Sequence, residues 1–230
     1  KEKTTFICHR GSFNFTTMPM GLMNAEATFQ RLMEIVLREL IYTACIVYLD
    51  DIIVFGRTPE EHLRNIEAVL ERLAEYGLKI KPSKCQLFQK RVTFLGHVVS
   101  AAGIETDPSK VEAVRTWRTP ANLTEARSFL GLCSYYRRFV KDYAEIAAPI
   151  TALQKKGTRF KWTDECQRAF ETIKTALTSA PVLAMPFVDA PKTDSDQEVR
   201  RYVLDCDASD HAIGAVLSQE QDGYERVIAY

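Results

Sequence analysis

Two adjacent aspartates, Asp50 and Asp51, lie between two short apolar runs at residues 44–49 and 52–55. Two runs rich in β-forming residues around a polar dipeptide predict a hairpin with both carboxylates at its tip. Magnesium prefers hard oxygen ligands and is commonly bound by one or two carboxylates together with phosphates. The pair therefore indicates a site for divalent ions that act on phosphates, although aspartate is also a common turn residue in hairpins that bind no metal.

Neighbouring side chains on a strand point to opposite faces, so the two carboxylates are not expected to point in the same direction. We expect Asp50 to be the direct metal ligand and Asp51 to support it. Two magnesium ions roughly 3.5–4 Å apart can activate an attacking hydroxyl and stabilise a leaving phosphate group. The chemistry predicted for this hairpin is therefore transfer at a nucleotide phosphate.

A second pair of carboxylates, Asp205 and Asp207, lies on one face of a predicted strand that covers residues 202–208. The side chains of Leu204 and Cys206 fall on the opposite face because side chains alternate along a strand. This spacing is compatible with a polar strand surface and with a metal-binding face.

Helices are predicted on both sides of the first hairpin. Apolar residues recur at intervals of three and four over residues 25–40, which predicts a helix with one apolar face. A second helix is expected to start after Thr58, which can cap it, with Pro59 in the first turn and Glu61 completing a capping box. Gly77 is positioned to end that helix.

The rest of the chain alternates between extended and helical patterns. Extended pieces are predicted at residues 85–88 and 92–100. After Asp107, a cap followed by proline, the pattern predicts a long amphipathic helix over residues 122–143 and another that begins near Thr163. Three successive strands are predicted at residues 202–208, 212–217 and 224–230.

Composition excludes several classes of protein. Hydrophobic residues make up 46% of the 230 residues and charged residues 26%, and the formal net charge is +0. No apolar run approaches the ~20 residues that a membrane span needs. The six cysteines are scattered without a C-x-x-C pair, which argues against a zinc or redox site, and the four dispersed histidines are assigned no metal.

Three ordered motifs look like consecutive polymerase motifs of reverse transcriptases. They are MPMGLMNAEATFQ at residues 18–30, YLDD at 48–51 and FLGH at 94–97. Further downstream, FLGL at residues 129–132, SYYRRF at 134–139 and FKWT at 160–163 fit the same family. The likeness covers nearly the whole chain and most closely resembles the gypsy-like long-terminal-repeat retrotransposons.

The resemblance implies an α+β fold in three parts. These are a polymerase palm made of an antiparallel sheet with helices, a helical thumb-like region, and the first strands of a ribonuclease H-like domain. We assign the palm to residues 1–105, without its fingers and first catalytic strand, and the thumb-like or connection-like region to 106–191. A linker is expected at 192–200 and the N-terminal part of the ribonuclease H-like domain at 201–230. Both ends of the chain are interpreted as cuts.

The resemblance also implies roles for individual residues. The catalytic and metal-binding residues would be Asp50, Asp51 and Asp207. The nucleotide-binding residues would be Met20, Gly21, Gln30 and Leu49. Contacts to primer and template would come from Tyr48, Phe94, Leu95, Gly96, His97, Arg137, Arg138, Lys155 and Lys156.

Several of these residues also have a purely structural interpretation. Gln30 is equally compatible with a solvated helix face, and Leu49 with packing in the sheet. Arg137 and Arg138 are expected on the exposed face of a helix, in contact with phosphate or with water. Glu26 departs from the family, which usually has proline there. Its carboxylate would either alter the entry from the loop into the helix or repel nucleotide phosphates.

The implied activity is RNA-directed DNA polymerisation together with hydrolysis of RNA in hybrids. Mg²⁺ is the implied cofactor, with Mn²⁺ as the alternative ion. The implied partners are an RNA or DNA template, a DNA or tRNA-like primer, dNTPs, and the missing fingers and ribonuclease H remainder of the polyprotein, with no membrane partner. The family implies a cytoplasmic particle and the nucleus as locations.

Partner carboxylates of both sites are expected outside this chain, so we expect the chain alone to be inactive. The alternative interpretation is a domesticated or decayed retroelement remnant that acts as a non-catalytic nucleic-acid-binding module.

Overall fold

A computed structural model describes residues 4–187, 201–208 and 212–230. The chain forms two units, Lys1–Leu87 and Phe88–Tyr230. Within the described ranges, no helix has the length and apolar character required to cross a membrane.

The first unit consists of two hairpins and two helices. Its core is formed by one face of each helix and by the hairpin that carries the aspartate pair, through Met33, Val36, Leu37, Cys45, Val69 and Leu73. Phe29 packs against this core from the side, as its helical spacing predicts. The elements are β1 (Thr5–Cys8), β2 (Gly11–Asn14), α1 (Ala25–Val36), β3 (Cys45–Tyr48), β4 (Asp51–Val54) and α2 (Pro59–Glu75).

Helix α2 starts as predicted. The Thr58 side chain accepts a hydrogen bond from the Glu61 amide at 3.2 Å, and the Glu61 carboxylate accepts one from the Arg57 amide at 2.8 Å. These bonds satisfy amides that would otherwise lack partners at a helix start. Gly77 follows the helix with φ +69°, a conformation that glycine adopts without steric cost.

Helix α1 ends at Val36, four residues before the end of the predicted apolar pattern. Leu37 and Leu40 instead accept turn hydrogen bonds through their carbonyls, from Leu40 and from Ala44 respectively, each at 2.8 Å. Leu37 is nevertheless completely buried. The apolar spacing correctly predicted the burial of Met33, Val36 and Leu37, but Leu32 is 39% exposed, and the spacing did not indicate where the helical backbone stops.

In the part of it that the structure describes, the second unit combines two antiparallel sheets with four helices. Within the described residues, one sheet has the strand order β5-β6-β7 and the other the order β10-β9-β8. The strands are β5 (Arg91–Phe94), β6 (His97–Ser100), β7 (Gly103–Thr106), β8 (Tyr202–Ala208), β9 (Ile213–Gln221) and β10 (Tyr224–Ala229). The helices are α3 (Pro108–Arg115), α4 (Leu123–Tyr135), α5 (Tyr143–Ala152) and α6 (Asp164–Thr178).

The core of the second unit lies between the helices. Phe129 of α4 and Phe170 of α6 are both almost fully buried, with ring centroids 4.6 Å apart. Asp107, Asn122 and Thr163 cap α3, α4 and α6 through their side chains, in agreement with the predicted helix starts.

Three predictions of secondary structure were wrong. The helix predicted over residues 122–143 ends at Tyr135, with α4. A 3₁₀ turn at Arg137–Phe139 and Asp142, whose φ is +56°, follow it, and the next helix, α5, begins only at Tyr143. The extended piece predicted over residues 92–100 is a hairpin, β5–β6. Residues 85–88 are not a strand, since they continue irregularly from a 3₁₀ turn at Pro82–Lys84.

The segment at residues 181–187 bonds to both sheets of the second unit. Its Leu183 exchanges two backbone hydrogen bonds with Ile104 of β7, at 2.8 and 2.9 Å. Gln219 of β9 is fully buried and both ends of its amide bond to the backbone of Phe187, at 2.9 and 3.1 Å. A buried amide is tolerated only when its donors and acceptors are paired, and these bonds meet that requirement.

The predicted linker at residues 192–200 lies outside the described residues. The predicted domain boundaries at 105 and 191 therefore stay predictions, while the three strands expected near the C-terminus are confirmed, with β9 longer than expected.

Replacing Gly103 with alanine is expected to lower the free energy of unfolding by about 2–4 kcal/mol. Gly103 has φ +133°, and a Cβ there would lie 2.2 Å from the Leu183 carbonyl oxygen. Urea denaturation measures the effect. The matched control is Gly131→Ala in α4, where the added Cβ meets nothing within 4 Å. This substitution is expected to raise the free energy of unfolding by about 0.5–1 kcal/mol, because alanine favours a helix more than glycine does. Similar effects of the two substitutions would contradict this account.

Candidate functional site

The aspartate pair lies at the tip of the β3–β4 hairpin, as predicted. Tyr48 and Asp51 face each other as the last pair of the ladder, so the two turn residues are Leu49 and Asp50. The predicted turn was centred on both aspartates, and the observed turn lies one residue earlier. Asp50 is therefore in the turn and Asp51 begins β4, which gives the two carboxylates different backbone environments.

Leu49 has a positive φ of +55°, whereas the φ of Asp50 is not positive. A positive φ at the first of two central residues is the pattern of a type II′ turn, which normally has glycine at that position. A non-glycine residue there costs on the order of 1 kcal/mol. The tip is therefore strained and requires support from outside the hairpin.

Gln30 of α1 supplies that support. Its side-chain oxygen accepts a hydrogen bond from the Leu49 amide at 2.6 Å, and its amide nitrogen donates to Glu34 at 2.9 Å. The first bond acts on the strained residue and the second fixes the rotamer of Gln30. The sequence offered two roles for Gln30, nucleotide binding and a solvated helix face. The structure gives it a third role, because Gln30 orients the turn next to the aspartates.

The two carboxylates are exposed to solvent. Within the described residues neither of them takes part in an ion pair, and no cluster of three or more His, Cys, Asp or Glu side chains could hold a metal ion. Two free carboxylates fit the preference of Mg²⁺ for few protein ligands, with phosphates and water completing its shell. Asp50 and Asp51 are therefore the residues of the first unit that could hold such an ion.

Met20 and Gly21 lie in the loop before α1. Met20 is fully exposed, and Gly21 has φ +85° with open space around the position of a Cβ. The glycine is therefore required by its backbone conformation and not by crowding. Glu26 is exposed in the first turn of α1, where a negative charge is favourable to the helix.

The FLGH motif forms the turn of the β5–β6 hairpin, in the second unit. Phe94 and His97 close the ladder, and both turn residues have positive φ, Leu95 at +48° and Gly96 at +67°. Both turn carbonyls accept hydrogen bonds from consecutive tyrosines at the end of α4. Tyr135 donates to Leu95, and Tyr136 donates to Gly96 at 2.6 Å.

Tyr136 is an effective donor because it stays protonated. Burial raises the pKa of its hydroxyl to about 12, with a smaller contribution from the charge of Asp107. The helical spacing of Phe129, Cys133 and Tyr136 predicts Tyr136 in the core, and its burial confirms this. The bonds of both tyrosines to the turn were not predicted. The tyrosine hydroxyl at a predicted core position could have indicated the bond of Tyr136, because a buried tyrosine hydroxyl usually has a hydrogen-bond partner.

His97 is half-buried in an aromatic environment. Its ring lies 5.2 Å from Tyr135, 5.5 Å from Tyr136 and 5.7 Å from Phe139, measured between centroids. Nδ1 donates to the Leu95 carbonyl at 2.9 Å, since a carbonyl can only accept. Burial lowers the pKa of His97, the Leu95 carbonyl opposes this effect, and the charge of Arg138 lowers the pKa further.

The basic residues predicted to contact nucleic acid occupy different environments. Arg137, Lys155 and Lys156 are exposed. Arg138 is half-buried, and its guanidinium donates to the Ile228 carbonyl of β10 at 3.3 Å. The prediction that Arg138 lies on the exposed face of a helix was wrong, because the helix ends at Tyr135 and the following 3₁₀ turn directs Arg138 toward β10.

Asp207 is exposed on β8, opposite Gly214 of β9. Asp205, two residues earlier, is also exposed and lies opposite Val216. The two aspartates therefore occupy alternate positions of one strand, as predicted. The role of Asp207 as a metal ligand stays a prediction.

Replacing Gln30 with leucine is expected to lower the free energy of unfolding by about 1 kcal/mol and to speed amide exchange at Leu49 about tenfold, because the Leu49 amide loses its acceptor. Hydrogen exchange followed by NMR measures both effects. Glu34→Ala is the control, since it removes the other bond of Gln30 and leaves the bond to Leu49 in place. Equal exchange rates at Leu49 in the two variants would refute the role given to Gln30.

The stability of the protein is expected to fall as the pH falls below about 6.5, and part of this loss comes from His97. The folded pKa is lowered, so the unfolded chain takes up the proton first and folding is disfavoured in that range. Denaturation at several pH values should show a shallower dependence for His97→Gln than for the wild type. The exposed His9, changed to glutamine, is the control, and an unchanged slope in His97→Gln would contradict the expectation.

Comparison with known proteins places these features in a family. Residues 1–99 match the family described as reverse transcriptase (RNA-dependent DNA polymerase), and residues 162–230 match the RNase H-like domain found in reverse transcriptase. The Pol polyprotein from transposon 297 of Drosophila melanogaster is 42% identical over 219 residues, covering 95% of this chain and 20% of that protein. The one from transposon gypsy of the same species is 37% identical over 231 residues, covering 96% and 21%.

The fold has a counterpart among solved structures. A foamy viral protease-reverse transcriptase in complex with double-stranded DNA matches with a TM-score of 0.80 and 28% identity, over 99% of this chain and 38% of that one. The chain spans about a fifth of the length of its polyprotein relatives. The chain therefore carries reverse transcriptase and ribonuclease H-like domain sequence, and over nearly its whole length it is similar to the Pol polyproteins of long-terminal-repeat retrotransposons, gypsy among them.

Proposed function

We propose that this chain supplies the Asp50–Asp51 part of a polymerase active site that adds nucleotides to a primer on an RNA or DNA template. The observation that carries the proposal is the strained hairpin tip. Asp50 lies in its turn and Asp51 directly after it, both are exposed, and the turn is fixed from α1 through Gln30. Strained backbone at an exposed polar tip persists only where the surrounding structure determines it, and such positions cluster at functional sites.

Asp50 and Asp51 would hold Mg²⁺, with Mn²⁺ as the alternative. The ion, when bound, activates the primer hydroxyl and neutralises charge on the nucleotide phosphates. The residues of this chain would position the two carboxylates. The Gln30–Leu49 bond keeps the turn in one conformation, and the β3–β4 ladder keeps Asp51 beside that turn. A site that is ordered before the substrate binds loses little conformational entropy on binding, so the reacting groups can be held in the geometry that the reaction requires.

The substrates of the proposed reaction are a template, a DNA or tRNA-like primer and dNTPs. Met20 and Gly21 would line the nucleotide pocket through their exposed loop, and Tyr48 and Leu49 would lie near the primer end. The Leu95–Gly96 turn would hold the primer backbone, and the exposed Arg137, Lys155 and Lys156 would contact phosphates. The double-stranded DNA bound to the foamy viral enzyme supports nucleic-acid partners for this chain.

The same parent protein would hydrolyse RNA in hybrids. Asp207 would be the first carboxylate of that site, on β8 of the RNase H-like region. One strand of carboxylates does not form a two-metal site, so the activity would require further residues of the polyprotein. We propose that the polyprotein works in a cytoplasmic particle with access to the nucleus.

Changing Asp50 to asparagine is expected to abolish magnesium-dependent primer extension, because the amide removes a charged ligand from the ion. Asp51→Asn is expected to slow extension without abolishing it. The assay uses this chain extended by the upstream residues that its polyprotein relatives possess. Glu71→Gln, which alters an exposed carboxylate on α2, is the control and should extend primers like the wild type.

The outcomes separate the competing interpretations. Extension by the wild type and by Glu71→Gln, but not by Asp50→Asn, supports the proposed polymerase. Unchanged extension by Asp50→Asn excludes Asp50 as a metal ligand. A folded wild-type protein that binds a primer–template duplex without extending it would instead support a non-catalytic binding module.

A further inference from the structure

Residues 135–139 contact two parts of the second unit that are far apart in sequence. We propose that Arg138 is a positioning residue that ties the Leu95–Gly96 turn to strand β10, and so fixes the spacing between the primer end and the RNase H-like sheet. The inference rests on the proposed function, because it assigns the turn to the primer and the sheet to cleavage of RNA.

The first half of the connection joins α4 to the turn. Tyr135 and Tyr136 each donate a hydroxyl hydrogen bond to a turn carbonyl. The rings of both tyrosines also contact His97, the residue that follows the turn. The turn is thus held by the hydrogen bonds to its two carbonyls and by the contacts of the tyrosine rings with the His97 ring.

The second half joins the 3₁₀ turn Arg137–Phe139 to β10. The Arg138 carbonyl accepts a hydrogen bond from the Tyr230 amide at 3.0 Å, and its guanidinium donates to the Ile228 carbonyl at 3.3 Å. Arg138 therefore bonds to β10 through its side chain and to Tyr230, the residue that follows β10, through its backbone. A guanidinium bonded in this way is committed to the fold and is less available to a phosphate.

The two halves are connected by buried side chains. Tyr136, Phe139 and Val140 are 1%, 2% and 4% exposed in the core of the second unit, and Val227 of β10 and the following Tyr230 pack against that core. The His97 ring stacks on Phe139 at an interplanar angle of 22°, and the charge of Arg138 acts on His97. Closely packed interiors transmit displacement instead of absorbing it, so a shift of β10 is expected to reach the turn.

Arg137 provides a matched control for Arg138. The two residues are adjacent and carry the same charge, but Arg137 is exposed whereas Arg138 bonds to Ile228. If net charge alone mattered, the two arginines would be equivalent. If the bond to β10 matters, only Arg138 will affect both the turn and the strand.

The first experiment compares hydrogen exchange in the wild-type chain, Arg138→Gln and Arg137→Gln. We expect Arg138→Gln to speed exchange about tenfold at Tyr230 and also at the amides of residues 95–97. The Ile228 carbonyl loses its charged donor, so the end of β10 and the Tyr230 amide beside it are held less firmly against the 3₁₀ turn. Arg138→Lys retains a charged donor and is expected to restore part of the protection. Acceleration at Tyr230 alone, or equal effects of Arg137→Gln, would overturn the proposal.

Tyr136→Phe tests the same connection from the other end and covers the case in which Arg138→Gln does not fold. It removes only the hydroxyl that bonds to Gly96. Coupling between two sites is reciprocal, so exchange at Ile228 and Tyr230 should also accelerate. Unchanged exchange in β10 would refute the connection.

The functional readout uses the longer polymerase that contains this chain. On an RNA–DNA hybrid, Arg138→Gln is expected to shift or broaden the distance between the primer 3′ end and the RNA cuts, whereas Arg138→Lys restores it. Arg127→Gln, which alters an exposed arginine on α4, is the control and leaves the distance unchanged. Unaltered spacing in an active Arg138→Gln enzyme overturns the positioning role. A folded wild type that neither extends nor cleaves overturns the proposed function, a result distinct from the outcome of the exchange experiment.

Discussion

Two leucines with left-handed backbone conformations determine the shape of the predicted substrate-binding hairpins. Leu49 and Leu95 each occupy the first position of a two-residue turn, with φ of +55° and +48°. An L-residue in this conformation costs on the order of 1 kcal/mol, so neither turn is stable through its own sequence. Each leucine is held by a hydrogen bond from a helix, Leu49 through Gln30 and Leu95 through Tyr135.

The energies of these turns are closely balanced. A single intramolecular hydrogen bond contributes a net ~0.5–1.5 kcal/mol, comparable with the strain that it offsets. The geometry of the first tip therefore depends on how firmly α1 is docked, which the burial of Met33, Val36 and Leu37 against β3 and α2 secures. The apolar packing of α1 thus fixes the position of Gln30. The hydrogen bond between Gln30 and Leu49 in turn fixes the conformation of the turn beside the aspartates.

Features that depend on local chemistry were predictable from the sequence, and features that depend on distant partners were not. The Asp50 hairpin and the cap at Thr58 were predicted correctly because their signals lie within a few residues. The Gln30–Leu49 bond joins residues 19 apart and exists only when α1 is docked. The break after Tyr135 was missed because the same face of the chain stays buried on both sides of it, so the apolar spacing continues unchanged.

Strand β8 has a consequence for how this protein behaves in solution. All seven of its residues are exposed, and within the described residues it forms one edge of its sheet. An exposed edge with apolar side chains such as Leu204, which is 62% exposed, is a template for pairing with strands of other molecules. Asp205 and Asp207 place two negative charges on the same strand, and like charges brought face to face oppose such pairing. The carboxylates considered for chemistry thus also protect the chain against self-association.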